Sequence, residues 1–522
     1  MVGVPGKSKG CNTCRKRKKG CDQARPACGQ CTRAGIACAG YERHRTFVNA
    51  SRSGPGSDGS GDDVPAAAAL TVTRISPLAA VPTLQHGLSR SAYETRYLGL
   101  FWDLYLPRGE APSEYYRRHC VGGWTTFARE NYKADPALYR ALLAMSLTSL
   151  GHHQSNQSLR DEGLRQYGRA LGELKTGLRN PKRQRSDAML VASRTLGLYE
   201  MLYGRDQMTQ QVISQANSWQ GHNLGEMALL SLRTPELQMD DPAHSLFCDG
   251  RMGHIIVSIN MRKRCVFSEP KWKTVPWTKI PKTPKDMLWD TLADIPGLLE
   301  SVDLLKTLPD GADKAELYQG LVAECWRLHG ELVWWYETLC PRDQFEQLEA
   351  RGFDAPDPSA DDLATASIII NYWSGCLLVY SNLRGLLAAH PALAATIATM
   401  DPSTDPMHYC SRIGDLVDFF LHPSAGRFAW HQTPFPVGIA SGYLLSTGQI
   451  MTPEMRKLVQ FFARDDGGRQ VALFLKSMLD SGYGSWPADM RVGDGQGEDV
   501  KSIVMRNLAG SEASSPESSL SQ

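Results

Sequence analysis

An all-α protein is predicted, with a small cysteine-framed head, a flexible linker and a large helical body. Three observations carry this expectation. From about residue 91 to 490 apolar residues recur at helical spacing, whereas strand-like alternating runs are few. Six of the thirteen cysteines lie between Cys11 and Cys38. Between these regions, residues 46–90 include SRSGPGSDGSGDDVPAAAA, a Gly/Ser/Pro/Ala stretch too poor in bulky apolar residues to bury a core. The expected domains are therefore 1–45, a linker over 46–90, a helical body over 91–490 and a Gly/Ser/Glu-rich disordered tail over 491–522.

Bulk composition excludes little, since 42% hydrophobic and 21% charged residues in 522 are ordinary for a globular chain. The charge distribution says more. Residues 1–45 hold eleven Lys and Arg against only Asp22 and Glu42, and the other 477 residues sum to −7. A cationic end on a mildly acidic body points to a polyanion as partner. The odd cysteine total and the dispersed Cys120, Cys248, Cys265, Cys325, Cys340, Cys376 and Cys410 fit a reducing compartment rather than a disulfide framework. Residues 1–10 lack an apolar stretch, so secretion is not expected.

In the head, the pattern is Cys11-x2-Cys14-x6-Cys21-x6-Cys28-x2-Cys31-x6-Cys38. Two halves of identical spacing predict two short helices, each opening on its CxxC turn and followed by an extended return. Soft thiolates at this spacing suit tetrahedral zinc, with Zn–S bonds of about 2.3 Å. Two such ions need eight ligand positions, which six thiolates fill only if two of them bridge both metals. Val2, Val4, Ile36 and a few alanines cannot form a core, so folding is expected to be coupled to metal binding. A redox dithiol or a disulfide knot explains neither the duplicated spacing nor the basic run inside it.

That run, Arg15-Lys16-Arg17-Lys18-Lys19, is placed on the first predicted helix. Consecutive cations repel one another unless a polyanion screens them. Six thiolates with two Zn²⁺ contribute −2, which leaves the metallated head at about +7 and predicts salt-dependent phosphate binding. Lys and Arg donate to guanine N7 and O6, so double-stranded DNA with a G-rich half-site is the expected target. Gly35 and Gly40 suit turns, and Pro26 lies in the loop that would set the angle between the halves.

CNTCRKRKKGCDQARPACGQCTRAGIAC resembles the fungal binuclear zinc cluster family of transcription factors. The resemblance implies that Cys11 and Cys28 bridge the metals and that Lys18, with Arg17 beside it, reads a CGG-type triplet in the major groove. Arg15, Lys16 and Lys19 are then expected mostly to contact phosphates. Family members often carry a further Lys or Arg just before the third cysteine, where this chain has Gly20. It also implies a nuclear regulator of RNA polymerase II genes, such as a secondary-metabolite cluster or a nutrient-use set. Trp219-x2-His222-x2-Gly225 and Leu229-Leu230-x2-Arg233-x-Pro235 resemble the helical regulatory region of such factors. HSLF (244–247) and RKRCVFSEPKWKTVPW (262–277) add to this likeness. On that reading the body contacts transcription machinery or co-regulators.

Within the body, Tyr97, Leu100, Phe101 and Leu104 mark one helix face, ended by Pro107. Asp135–Pro136 gives an N-cap and first-turn proline for a helix expected to stop at Gly151, with His152–His153 beyond it. Ser186–Asp187 opens another that closes at Gly204. Further helical patterns lie at 288–307, 315–340, 363–389, 410–421 and 468–480, and HIIVSI (254–259) is the best strand candidate. Trp334-Trp335-Tyr336 is expected in the core, and Arg262-Lys263-Arg264 as a solvated or acid-paired helix end rather than a contact with DNA or a partner. Leu363–Leu383 runs 21 residues without a charge, but polar interruptions and the flanking Asp361, Asp362 and Arg384 make it a buried core helix rather than a membrane span.

No GxSxG elbow, GxxxxGK[ST] loop, HExxH or strand-borne GxGxxG occurs, so an enzyme is not expected. His222 near Trp219 is read as a packed helix histidine, not a base. The rival class is a zinc-dependent protein or nucleic-acid scaffold without duplex specificity. It lacks aromatic stacking residues within the frame, since Tyr41 and Phe47 lie outside it. Residues 41–90 show no sustained apolar heptads and contain Pro55, Pro65, Pro77 and Pro82, so a monomer, or a homodimer held through the body, is expected.

Overall fold

The computed structural model describes residues 10–40, 86–204, 214–353, 357–389, 401–464 and 467–481. The tail expected over 491–522 and the linker expected over 46–90, apart from residues 86–90, lie outside the described residues. Contacts divide the chain into two units, Met1–Val81 and Pro82–Gln522. Among the described residues both are helical, with no strand.

The first unit contains two single-turn helices, α1 (Asn12–Lys16) and α2 (Gly29–Arg33), each beginning at a CxxC pair and followed by irregular chain. Both end alike. After α1, Lys19 N–H donates to the Cys14 carbonyl and Lys18 takes φ +52°; after α2, Ile36 N–H donates to the Cys31 carbonyl and Gly35 takes φ +64°. These are matching Schellman stops with the left-handed residue one place beyond the cap. The five-cation run is therefore not all helical: α1 ends at Lys16, and Arg17 and Lys18 form the turn.

The second unit begins with α3 (His86–Tyr105), which starts five residues inside the expected linker. The buried face of α3 is Leu98, Phe101, Trp102 and Tyr105, one position later than the expected stripe of Tyr97, Leu100, Phe101 and Leu104. The two large rings at 102 and 105 decide the phase, because they bury more apolar area than the leucines they displace. Next come α4 (Glu114–His119), α5 (Gly123–Asn131), α6 (Pro136–His153) and α7 (Gln157–Leu178). Asp135 caps α6 as expected, its carboxylate accepting from Ala137 N–H at 2.8 Å. However, α6 continues through Gly151 to His153, so the histidines are its last residues. Gly151 is there for contact: a Cβ at this position would lie 2.8 Å from the Arg160 backbone nitrogen. A Cβ on Gly163 would meet Thr148 Oγ1 at 2.1 Å, so α6 and α7 approach at backbone distance.

Ser186 caps α8 (Asp187–Tyr203), and α9 (Gln215–Ser231) packs beside it. The strand candidate 254–259 lies inside α10 (Ala243–Met261), where Ile255, Val257 and Ile259 are buried. A short apolar run does not distinguish a buried helix from a strand, and the surrounding apolar positions extend it to helical length. After α11 (Pro270–Thr274), the pattern over 288–307 resolves into α12 (Pro284–Leu292) and α13 (Ile295–Thr307), broken just before Pro296. In α14 (Ala312–Thr338), Trp335 is buried but Trp334 is 48% exposed and Tyr336 36% exposed. Consecutive helical residues point about 100° apart, so the expected three-residue core contribution reduces to one.

After α15 (Arg342–Arg351), α16 (Ala360–Ala388) is opened by a Ser359/Asp362 capping box and forms the centre of the unit. It is long and apolar enough to cross a membrane, but its most apolar 18-residue window is wholly buried inside the protein, as expected of a core helix. Around it pack α4, α14, α17 (Pro406–Leu416) and α19 (Pro434–Ser446), with α18 (Gly426–Trp430), α20 (Pro453–Phe462) and α21 (Gly467–Asp480) completing the shell.

A buried ionic cluster that the sequence did not reveal ties α4, α5, α10 and α12 together. Asp249 on α10 accepts from Gly122 and Trp124 N–H at 3.2 and 2.8 Å and pairs with Lys285 at 3.1 Å. Lys285 Nζ also donates to the Cys120 carbonyl. Desolvation alone would lower the Lys285 ammonium, but Asp249 and Asp286 outweigh it and hold it up. Arg251, fully buried, pairs with Asp290 and stacks 4.7 Å from the Trp277 ring.

Candidate metal centre and nucleic-acid interface

The repeated CxxC turns place four sulfurs in the interior of the head. Cys11, Cys14, Cys28 and Cys31 are fully buried, and Cys21 and Cys38 are half-buried. Their thiols fall into two groups, Cys11/Cys14/Cys21/Cys28 and Cys11/Cys28/Cys31/Cys38, with all sulfurs of a group within 4.8 Å of one another. Only Cys11 and Cys28 belong to both. Cys11 Sγ lies 3.6 Å from Cys28 Sγ and 3.8 Å from Cys31 Sγ, and Cys14 Sγ lies 3.5 Å from Cys28 Sγ. Four sulfurs about 2.3 Å from a tetrahedral zinc stand about 3.8 Å apart, whereas a disulfide brings them to about 2.05 Å. The spacing is that of ligands around a metal.

Electrostatics agree with that fit. Burial beside other sulfurs pushes the Cys31 thiol up to about 12, and Cys14 rises for the same reason. In contrast, backbone N–H groups of Cys28 and Gly40 bring Cys38 down to about 7. Buried thiols left alone stay protonated, and a divalent cation is the group that stabilises them as thiolates. The two shared sulfurs are equivalent by the internal repeat: Cys14 N–H donates to Cys11 Sγ at 3.3 Å, and Cys31 N–H to Cys28 Sγ at 3.4 Å.

Three contacts that sequence reading missed close the halves on each other. Asn12 N–H donates to the Gly40 carbonyl at 2.9 Å. Thr13 Oγ1 donates to the Ala37 carbonyl at 3.1 Å and accepts from Ala39 N–H at 2.9 Å. Asp22 accepts from Gly29 N–H through both carboxylate oxygens at 3.0 and 2.9 Å, satisfying the start of α2. A Cβ on Gly29 would lie 2.4 Å from Asp22 Oδ2. An acidic residue seven positions before a CxxC helix was the available signal for this last contact.

Lys16, Arg17, Lys18 and Lys19 are exposed. Asp22 is the one carboxylate among residues 10–40 and is committed to Gly29, and these four cations form no ion pair among the described residues. Their charge thus faces solvent. In the second unit the other candidates behave as internal structure. His222 Nε2 lies 3.0 Å from Tyr167 Oη, and burial holds its imidazole down to about 4. Arg262 pairs with Asp303, and Lys263 with Glu300 at 3.0 Å, at the end of α10.

A head that gathers six thiols into two overlapping tetrads beneath a solvent-facing cationic turn defines a binuclear metal-cluster protein. Residues 9–46 match the fungal Zn(2)-Cys(6) binuclear cluster domain, and residues 101–256 match the fungal specific transcription factor domain. The first of these domains binds two zinc ions, and both matches are to domains found in fungal transcription factors. The second match includes the Trp219–Pro235 stretch and HSLF, whereas 262–277 lies beyond it. No curated protein and no solved structure matches the chain.

Proposed function

We propose that the head holds one zinc in each sulfur tetrad, with Cys11 and Cys28 bridging the pair, and that the turn after α1 reads duplex DNA. In this reading Lys18 and Arg17 donate to guanine edges of a CGG-type half-site, while Arg15, Lys16 and Lys19 contact phosphates. The observation that carries it is the unpaired cationic turn fixed to the cluster by the Lys19–Cys14 backbone bond. Lys18 supports it further. It occupies a left-handed conformation that the equivalent Gly35 takes without strain, and such outliers concentrate where a side chain must be aimed. The protein then acts in the nucleus on fungal genes transcribed by RNA polymerase II. A secondary-metabolite cluster is the target set favoured by the resemblance, and the helical unit contacts co-regulators.

The test is binding of the full-length zinc-loaded chain to a CGG-bearing duplex, a scrambled duplex and a single-stranded RNA. Lys18→Ala should lose about 1–3 kcal/mol on the CGG duplex alone, and Lys16→Ala should weaken both duplexes alike. Equal losses for the two variants would refute the division of roles, and preference for the RNA would favour a scaffold of another kind.

A further inference from the structure

The helical unit contains a cavity of about 900 Å³ that DNA reading does not use. Its wall is mainly apolar, with Trp219, Leu378, Phe435 and Phe474 among its residues, and Trp219 meets Phe474 edge to face at 5.4 Å. A volume of this size falls within the roughly 300–1,000 Å³ of sites that take organic ligands. Loose packing would also leave apolar space, but three features of the wall are not those of a packing defect.

Two solvent-shielded polar atoms on wall residues have no partner, Ser441 Oγ and His431 Nδ1. Buried polar groups are ordinarily satisfied, so each is open to a ligand group. The charged residues of the wall are five cations, Arg262, Lys306, Lys314, Arg384 and Lys476, against Asp310 alone among the described residues. Arg262 is held by Asp303, Lys314 by Asp310, and Arg384 stands 3.9 Å from Asp405. Lys476 on α21 forms no ion pair among the described residues, although its neighbours Phe474 and Met478 are buried. Desolvation brings His431 down to about 3, so its ring is neutral and can act only through hydrogen bonding.

We propose that this cavity binds a small apolar organic acid, its hydrocarbon or aromatic body against Trp219, Phe435 and Phe474 and its anionic end on Lys476, with Ser441 Oγ open to a second polar group. The helical unit is then a ligand-binding domain as well as a protein-contact domain. This inference concerns the second unit alone and stands or falls independently of how the head reads DNA.

Calorimetry and thermal shift on the full-length chain test it, with dodecanoate and dodecanol as probes of equal length and different charge, both below their aggregation limits. Dodecanoate should bind one per chain, raise the melting temperature and displace 1-anilinonaphthalene-8-sulfonate. Dodecanol should bind at least tenfold more weakly. Lys476→Ala should weaken dodecanoate about tenfold and leave dodecanol unchanged, and Lys476→Arg should retain the preference for the acid. Absence of saturable binding, equal affinity for acid and alcohol, or indifference to Lys476→Ala would each overturn the proposal.

Discussion

Lys18 holds a backbone conformation that costs an L-residue about 1–2 kcal/mol and glycine almost nothing. Lys18→Gly is therefore expected to leave the head's resistance to a zinc chelator unchanged, or to raise it by up to about 1 kcal/mol, while abolishing selectivity for a CGG duplex. Lys16→Gly, inside α1, should lower that resistance by about 1 kcal/mol. Chelator titration of each variant, paired with duplex binding, measures both effects; a destabilised Lys18→Gly head would contradict the strain argument. The shared sulfurs make a second prediction. Cys28→Ala removes a ligand from both tetrads and should strip both zincs, whereas Cys21→Ala touches one tetrad and should leave about one per chain. Metal content by atomic emission checks this, and equal losses from both variants would remove the bridging assignment. The grouping of the six cysteines was readable from their spacing, because two CxxC pairs at equal intervals leave few arrangements. Asp22 and Thr13 were not, since a side chain that closes a loop is defined by where the chain returns.

Helices of the second unit were legible where caps and breakers act locally. Asp135 and Ser186 mark boundaries through their own side-chain chemistry, and the structure starts a helix beside each, whereas the single pattern read over 288–307 ran across the break before Pro296. Faces and exact stops were less legible because the neighbouring helix decides them. Gly151 reads as a stop in sequence, but it stays helical because α7 crosses at a distance no Cβ permits. The Asp249–Lys285 pair is likewise a product of packing, joining residues 36 positions apart. Asp249→Ala should cost about 3–5 kcal/mol by taking the paired carboxylate from a buried ammonium and leaving two N–H groups without an acceptor. The double variant Asp249→Leu/Lys285→Met should recover much of that loss in denaturant unfolding. A double variant no more stable than Asp249→Ala would show that the cluster contributes through something other than paired charge.

At the scale of the molecule, buried imidazoles set a pH limit on the helical unit. Desolvation holds His222 and His254 down to about 4, with Glu226 partly opposing the shift at His254, and holds His431 to about 3. In the unfolded chain these rings titrate near 6.5. Between those values the unfolded state binds more protons, so stability is complete above about pH 6.5 and falls as pH drops toward 4. The melting temperature should follow that course, and His431→Leu should flatten it. A curve flat from pH 6.5 to 4.5 would contradict the burial of these groups.

Sequence alone determined the cysteine frame, the cationic run inside it, the helical class of the body and the core character of Leu363–Leu383, because each is encoded in residues close along the chain. Tertiary structure decided which sulfurs are shared, which cation sits in the left-handed turn, which face of α3 is buried and whether a cavity remains between helices. Those outcomes depend on distances between segments that meet only on folding, and local propensity carries no information about them.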